Sequence, residues 1–406
     1  MFRFAAALSM CLLAGPVLIG TVLIGTVLVG TVLVGVLLSG VLFSGAVQAV
    51  EFSGQYTNLL FQTRDSLVQD RTTDLNRLRL KLDDQWYGGA VRAHLAYDHE
   101  LLWGGMVADP VVSAGLQRPD ATWLDASATL AERSQLNWQH KLYRGWLTYD
   151  AGDLSIKAGR QRIAWGSGRI WNPSDRFNPV QPTALELDQK LGVDAALAQW
   201  NYSNSASVVA VVGAGRPAYG VSRKAALRWQ DTWGEFDVAL MLGRIGNENM
   251  FAVDVTGNLA DAGVRLEWMQ AKNASEGVYG QVSTGLDYTW SNSWFPNGLY
   301  GAIEYFYNGA AGFAFGAVGL NPNRLNSLSR HLLGGQLAYD LTALWRFEVL
   351  LISDLQRPGW FVAPALTWSI FENIDIQAFA QLPQGGAGSE FGRLEARYAL
   401  RLDWYF

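Results

Sequence analysis

Beyond residue 49, apolar and polar positions take turns along the chain with a period of two, the period of a strand with two unlike faces. In Leu78-Arg79-Leu80-Lys81-Leu82-Asp83 every second residue is charged, and Val91-Arg92-Ala93-His94-Leu95-Ala96-Tyr97-Asp98 follows the same rule. Val264, Leu266 and Trp268 alternate with Arg265 and Glu267, and Ile303, Tyr305 and Tyr307 flank Glu304. The final segment is the cleanest. Tyr398, Leu400, Leu402, Trp404 and Phe406 share one face, and Arg397, Ala399, Arg401, Asp403 and Tyr405 share the other. After residue 49 no stretch of about 18 apolar residues occurs, so no helical membrane span is expected there.

Alternation also suits a soluble β-sandwich. Two features favour a membrane barrel instead. The segments approach the 9–11 residues that a tilted strand needs to cross a bilayer, and Trp or Tyr often closes the apolar face, as an interfacial belt requires. A closed barrel also satisfies every backbone polar group in lipid. The pattern predicts an all-β, transmembrane antiparallel β-barrel of about 18 strands, with 16 as the alternative. The strands are placed near 51–62, 74–84, 88–98, 136–149, 153–163, 190–201, 206–213, 221–230, 234–244, 248–256, 261–270, 278–290, 298–308, 331–341, 344–354, 359–369, 373–383 and 391–405. The segments 206–213 and 248–256 alternate least. Short connections alternate with long ones, chiefly 99–135, 164–189 and 309–330, which puts short periplasmic turns at one end and long external loops at the other.

The first 49 residues form a separate unit. Arg3 is their only charged residue, and VLIGT-like pentapeptides repeat from residue 17 onward. Ala46-Val47-Gln48-Ala49 supplies the small-residue pattern of a secretory cleavage site. Residues 1–49 are therefore expected to be a signal peptide with an enlarged apolar region, and 50–406 the barrel.

Composition narrows the function. The 406 residues are 17% charged and 12% aromatic, with 43 Gly, 17 Trp and a single Cys, Cys11. Disorder, a disulfide framework and a cysteine metal site are excluded. A net charge of −5 argues against nucleic acid as a partner. His94, His99, His140 and His331 are scattered, and no HExxH motif, phosphate loop or nucleophile–base arrangement accompanies them. No enzyme activity, cofactor or metal is expected.

The segment Gly159-Arg160-Gln161-Arg162-Ile163-Ala164-Trp165-Gly166, continuing through Gly168-Arg169-Ile170-Trp171-Asn172-Pro173-Ser174-Asp175-Arg176-Phe177-Asn178-Pro179, is too rich in Gly, Pro and Asn to remain a strand past Ile163. It resembles the GRQ–WG–NP–D–P signature of a family of Gram-negative outer-membrane barrels of largely unknown function, porin-like and alginate-export-like in style. Lys190-Leu191-Gly192-Val193-Asp194-Ala195, Glu304-Tyr305-Phe306-Tyr307-Asn308-Gly309 and the chain's ending resemble that family too. The resemblance implies a barrel and a channel, and it names no substrate.

A barrel of about 18 strands leaves an aqueous lumen unless something narrows it. Residues 164–189 are the candidate for an inward loop, with Arg160, Arg162, Arg169, Asp175, Arg176, Glu186 and Asp188 as constriction residues, because arginine forks can pin such a loop through carboxylates. An external loop held by its own ion pairs is the alternative. The register sets a condition. If Leu154, Ile156 and Ala158 face lipid, strict alternation carries Arg160 and Arg162 there too, and arginine at the midplane costs about 2–4 kcal/mol. Either a bulge near Gly159 reverses the faces, or both arginines lie above the hydrocarbon.

Arg77, Arg79, Lys81, Arg92, Arg228, Arg265, Glu304, Arg397 and Arg401 are expected on the lumen side. Among them Arg77, Arg79 and Lys81 form the densest basic ladder, a hint of anionic solutes. Trp404 and Phe406 end an alternating strand of the kind that barrel assembly machinery can take up by strand addition. The function expected is an outer-membrane channel for passive passage of small hydrophilic solutes or an exported molecule. The alternative is a non-enzymatic sheath or docking shell for an exported polymer or an electron-transfer partner; an outer-membrane hydrolase comes last. Outer-membrane lipids and the assembly machinery are the other expected partners.

Overall fold

The computed structural model describes residues 50–64, 71–108, 122–189, 192–215, 223–273, 277–311 and 323–406. The expected signal peptide and the Lys190-Leu191 pair lie outside the described residues. The strands are β1 (Glu51–Arg64), β2 (Arg71–Trp86), β3 (Val91–Gly104), β4 (Ser127–Arg133), β5 (Leu136–Ala151), β6 (Leu154–Gln161), β7 (Val193–Asn201), β8 (Ser207–Ala214), β9 (Arg223–Trp233) and β10 (Phe236–Ile245). They continue with β11 (Glu248–Leu259), β12 (Ala262–Asn273), β13 (Gly277–Trp290), β14 (Leu299–Asn308), β15 (His331–Thr342), β16 (Trp345–Asp354), β17 (Gly359–Phe371), β18 (Ile374–Gly385) and β19 (Ala396–Tyr405).

Eighteen of these strands make one antiparallel ring that follows chain order, omitting only the short β4. The ring closes between β1 and β19, with Gln55 opposite Tyr405 and Arg64 opposite Ala396. Closure joins the first and last strands, which would otherwise be open edges. The strands match the eighteen read from the alternation, including the two weakest. Two details differ. β4 lies inside the expected 99–135 loop, and the last strand begins at Ala396 rather than near 391.

Lipid-facing and inward positions follow the period of two. On β19, Tyr398 and Trp404 are each 41% exposed, whereas Asp403 on the other face accepts hydrogen bonds from Gln55 (3.0 Å) and Thr57 (2.6 Å) of β1. Trp86, Trp200, Trp233, Trp290 and Trp404 stand exposed near the end that carries the short turns, the position of an interfacial aromatic belt. The chain's final residue is locked into the wall. Gly54 N donates to the Phe406 carbonyl (2.7 Å), Phe406 N donates back (3.1 Å), and the ring lies where a Cβ on Gly54 would stand.

Candidate functional site

β6 pairs with β5 in unbroken register from Leu154 to Arg160 and ends at Gln161. Gly159 has φ +124°, a conformation that favours glycine, and the chain then leaves the wall. Its departure uncovers the edge of β5 from Leu136 to Lys141, and β4 pairs there instead, from Ser127 opposite Lys141 to Arg133 opposite Leu136. The expected bulge at Gly159 is absent. The register shift near this point lies on β5 at Tyr143, opposite β3. Arg160 stays on the strict alternation yet is only 3% exposed. Its guanidinium reaches Asp194 on β7 (2.8 Å) and donates to the Leu142 and Leu124 carbonyls, so the segment that leads into β4 covers it. Arg162 lies past the strand and is exposed.

The segment 162–189 is held from opposite sides of the ring. Its first half meets carboxylates of β11, β12 and β14. Glu267 on β12 is 1% exposed and accepts from Ser167 N (2.8 Å), Gly168 N (2.7 Å), Ser174 N (3.1 Å) and the Ser174 hydroxyl (2.5 Å). Glu304 on β14 accepts from Arg169 N (2.8 Å), Ile170 N (3.3 Å), Trp171 N (2.7 Å) and the Ser283 hydroxyl (2.8 Å). Consecutive backbone N–H groups thus form two concave anion seats, each filled by a wall glutamate. A Cβ on Gly166 would press into the Glu267 carboxylate, and one on Gly168 would strike the Trp171 carbonyl, which explains the two glycines of the motif. Ser167 also donates its hydroxyl to Asp254 of β11 (2.5 Å), and Arg176, 1% exposed, pairs with Glu248 of β11.

Apolar packing reinforces these bonds. Trp165 and Phe177 meet edge to face at 5.0 Å and, with Ile163, cover Val209, Val211, Met241, Ala252 and Met269 on the inner wall. Trp171 stacks on Phe306 at 5.4 Å, in a cluster with Ile170, Leu325, Phe361 and Phe391. A Cβ on Gly334 would overlap Ile170 and Trp171.

The second half of the segment meets a basic wall. Arg77 of β2 forms a fork with Glu186 (2.8 Å on each arm) and also pairs with Glu100 of β3 (2.6 Å). Arg401 of β19 holds Asp188 (2.9 and 3.1 Å), and Gln381 of β18 donates to the Ala184 carbonyl (2.9 Å). Burial alone would raise the Asp188 carboxyl; the hydrogen bonds and charge of Arg401 outweigh it and hold the group below the usual carboxylate range. β2 and β12 stand on opposite sides of the ring, and the segment is bonded to both.

A second inward contact comes from residues 323–330, before β15. Gln281 of β13 donates to the Leu325 carbonyl (3.3 Å), and Arg324 lies 3.5 Å from Glu248. Glu390, between β18 and β19, accepts from Leu328 N (2.5 Å), the Ser327 hydroxyl (3.0 Å) and Ser329 N (3.3 Å). Burial pushes its carboxyl up despite these donors.

The expected constriction residues therefore separate into three groups. Arg160, Asp175 and Arg176 are buried in seams, whereas Arg162 and Arg169 are exposed and Glu186 and Asp188 are tied to the basic wall. The ladder is also divided. Arg77 is spent on Glu100 and Glu186. Arg79 is spent on Asp98 (2.6 and 2.7 Å) and lies 3.4 Å over the Tyr143 ring. Lys81 and Arg162 carry no ion pair among the described residues. Arg92 pairs with Asp150 at the short-turn end (2.7 Å), Arg265 with Asp287, and Arg397 bonds Gln381 (3.3 Å). Arg228 is part-buried beside Gln230. The sequence places Glu267 on the lumen wall without a partner and gives no sign of Glu248 or Asp254, because a lone acid on an alternating strand reads as lumen wall; only the glycines of the facing motif hint at a partner.

No protein-family model matches this chain, and no curated protein matches it. Solved structures do. Pseudomonas aeruginosa OccK5 (OpdH) superposes with a TM-score of 0.57 at 10% identity, covering 89% of this chain and 99% of that one. Acinetobacter baumannii OccAB1 gives 0.61 at 9% identity over 89% and 98%. A BenF-like porin from Pseudomonas fluorescens Pf-5 gives 0.59 at 8% identity over 89% and 100%. The chain thus folds as an 18-stranded barrel of the bacterial outer-membrane porin type.

Proposed function

We propose that this protein is a passive outer-membrane channel for small hydrophilic solutes, narrowed by the segment 162–189, with a preference for small anions. The observation that carries the reading is the stapling of one segment from an acidic wall to a basic one across a closed barrel. Such a segment obstructs a polymer or folded partner in the bore, which weighs against the sheath reading, and it leaves a narrow path for small solutes. Among the described residues Lys81 and Arg162 carry no ion pair and stand ready to meet a solute, whereas Arg77 and Arg79 of the predicted ladder are already paired. One similar barrel, P. aeruginosa OpdK, has been solved with vanillate, an aromatic carboxylate, which fits a path lined by spare cations. The resemblance of 159–179 to porin-like barrels supports the same reading, since those residues build the segment and its seats. Trp404 and Phe406 serve as the sorting signal in this account, read by the assembly machinery before closure.

Planar-bilayer recording of the refolded full chain tests it. Discrete conductance steps are expected, with an anion-to-cation permeability ratio above unity that falls when Lys81 and Arg162 are changed to Gln. Replacing 167–177 by a short Gly-Ser link is expected to enlarge the step. A barrel that folds but never conducts overturns the proposal.

A further inference from the structure

The lipid-facing side of β9–β12 carries a row of cations that, among the described residues, no acidic side chain pairs with. Arg244 stands directly opposite Asn249, and Asn249 directly opposite Lys272. Residues opposite one another share a face, and this one also bears Leu242, Phe251 and Trp268, exposed by 55%, 41% and 37%. Arg244 is opposite Ala225, which places Arg223 on the same face of β9, two residues further up. Arg223, Arg244, Asn249 and Lys272 are all exposed. None of the three cations forms an ion pair among the described residues; Arg244 makes one long contact with the Gly246 carbonyl (3.4 Å).

Their height follows from the strands. Arg223, Asn249 and Lys272 each lie ten residues along their strands from Trp233, Leu259 and Ala262 at the short-turn end. About 9–11 residues of tilted strand cross the hydrocarbon, so the row sits at headgroup level on the long-loop side. Adjacent strands are about 4.8 Å apart, which places the Arg244 and Lys272 backbones about 10 Å apart, within reach of one shared anion through their long side chains.

We propose that this row is a docking site for a phosphate-bearing lipid headgroup of the long-loop leaflet. Charge complementarity selects the phosphate, and Asn249 adds a neutral donor between the cations. The apolar positions directly below, Leu242, Phe251 and Trp268, select an amphiphile over a free anion, because acyl chains cover them while the headgroup meets the cations. The proposal rests on the barrel lying in a bilayer and is independent of what the lumen passes.

The test uses the full chain refolded into phosphatidylcholine vesicles with and without lipid A, following the temperature at which the compact band is lost on a gel. Wild type is expected to gain thermal stability with lipid A. The R223Q/R244Q/K272Q variant is expected to match wild type in phosphatidylcholine alone and to lose most of that gain, with single-channel conductance unchanged. Equal gains in both proteins overturn the proposal. So does a gain of the same size when inorganic phosphate is added to the neutral vesicles, which assigns the row to a free anion. If the triple variant does not fold, R244K should keep the gain and R244Q lose part of it; indistinguishable behaviour of these two overturns the proposal as well.

Discussion

At the scale of single residues, the segment 162–189 depends on a few acceptors that face many donors. Glu267 receives four hydrogen bonds from one stretch of chain and, among the described residues, has no arginine at hydrogen-bond distance. Hydrogen bonds to a charged group contribute more than neutral ones, and a buried donor left without its acceptor costs about 1–3 kcal/mol. Glu267→Gln should therefore loosen the segment by about that much while the wall stays intact. The expected outcome is faster proteolytic cutting near 164–189 and a noisier, larger conductance; identical cutting and conductance would count against the seat. Two acids outside the strands respond to pH in opposite senses. Asp188 is depressed, so its contribution is present above its unfolded pKa and disappears as pH falls through the lower folded value. Asp188→Asn should lower thermal stability at pH 7 and make no difference in strong acid. Glu390 is raised, so stability is full below the ordinary carboxylate range and is lost as pH rises from there through the higher folded value. Glu390→Gln should raise stability at pH 8 and converge on wild type as pH falls. Melting curves of both variants across pH check the signs.

At the scale of elements, β6 and β4 share one role in the wall. β6 ends early because its chain is drawn inward, and β4 takes its place along β5. The seam is fastened by Arg160 and Asp194, with Leu124 N donating to Asp194 (2.8 Å). Asp194→Ala leaves the buried guanidinium without its counter-ion, a loss in the range of about 3–5 kcal/mol for broken buried pairs. The variant's compact band should be lost at a distinctly lower temperature, and an unchanged transition would show the seam to be dispensable. β8 was hard to read for a related reason. Val209 and Val211 face inward, yet they are covered by Trp165 and Phe177 rather than water, so the strand is apolar on both faces and its alternation fades.

At the scale of the whole molecule, the segment 162–189 meets acidic side chains on one side of the ring and arginines on the other, while each side carries both signs: Arg265 beside Asp287 on the first, and Asp98, Glu100 and Asp403 beside the arginines on the second. Glu248, Asp254, Glu267 and Glu304 lie on β11–β14, and Arg77, Arg79 and Arg401 on β2 and β19. The crossing segment meets the first set with N–H and O–H donors, together with Arg176, and the second with carboxylates and amide oxygens, so its polarity matches the walls it touches. The last residue takes part in the closing seam. Phe406 packs where Gly54 leaves room, so removing Phe406, or placing Leu at Gly54, should reduce the yield of folded barrel in the outer membrane. Cell fractionation with a heat-shift gel measures this; full yield from both variants would separate the terminal residue from assembly.

What the chain determined unaided was everything carried by local period: strand number, the lipid face, the aromatic belt and the ends with short and long connections. Alternation records which side of each strand meets lipid, and lipid demands it at every second position. The tertiary structure alone decided which inward residues meet water and which meet protein. Glu267 and Glu304 look alike to the alternation as free lumen acids, and Arg77 and Arg79 as free lumen bases. Only the path of residues 162–189, more than a hundred residues from some of its partners, turns them into seats. That path depends on contacts between distant parts of the chain, and no local period encodes them.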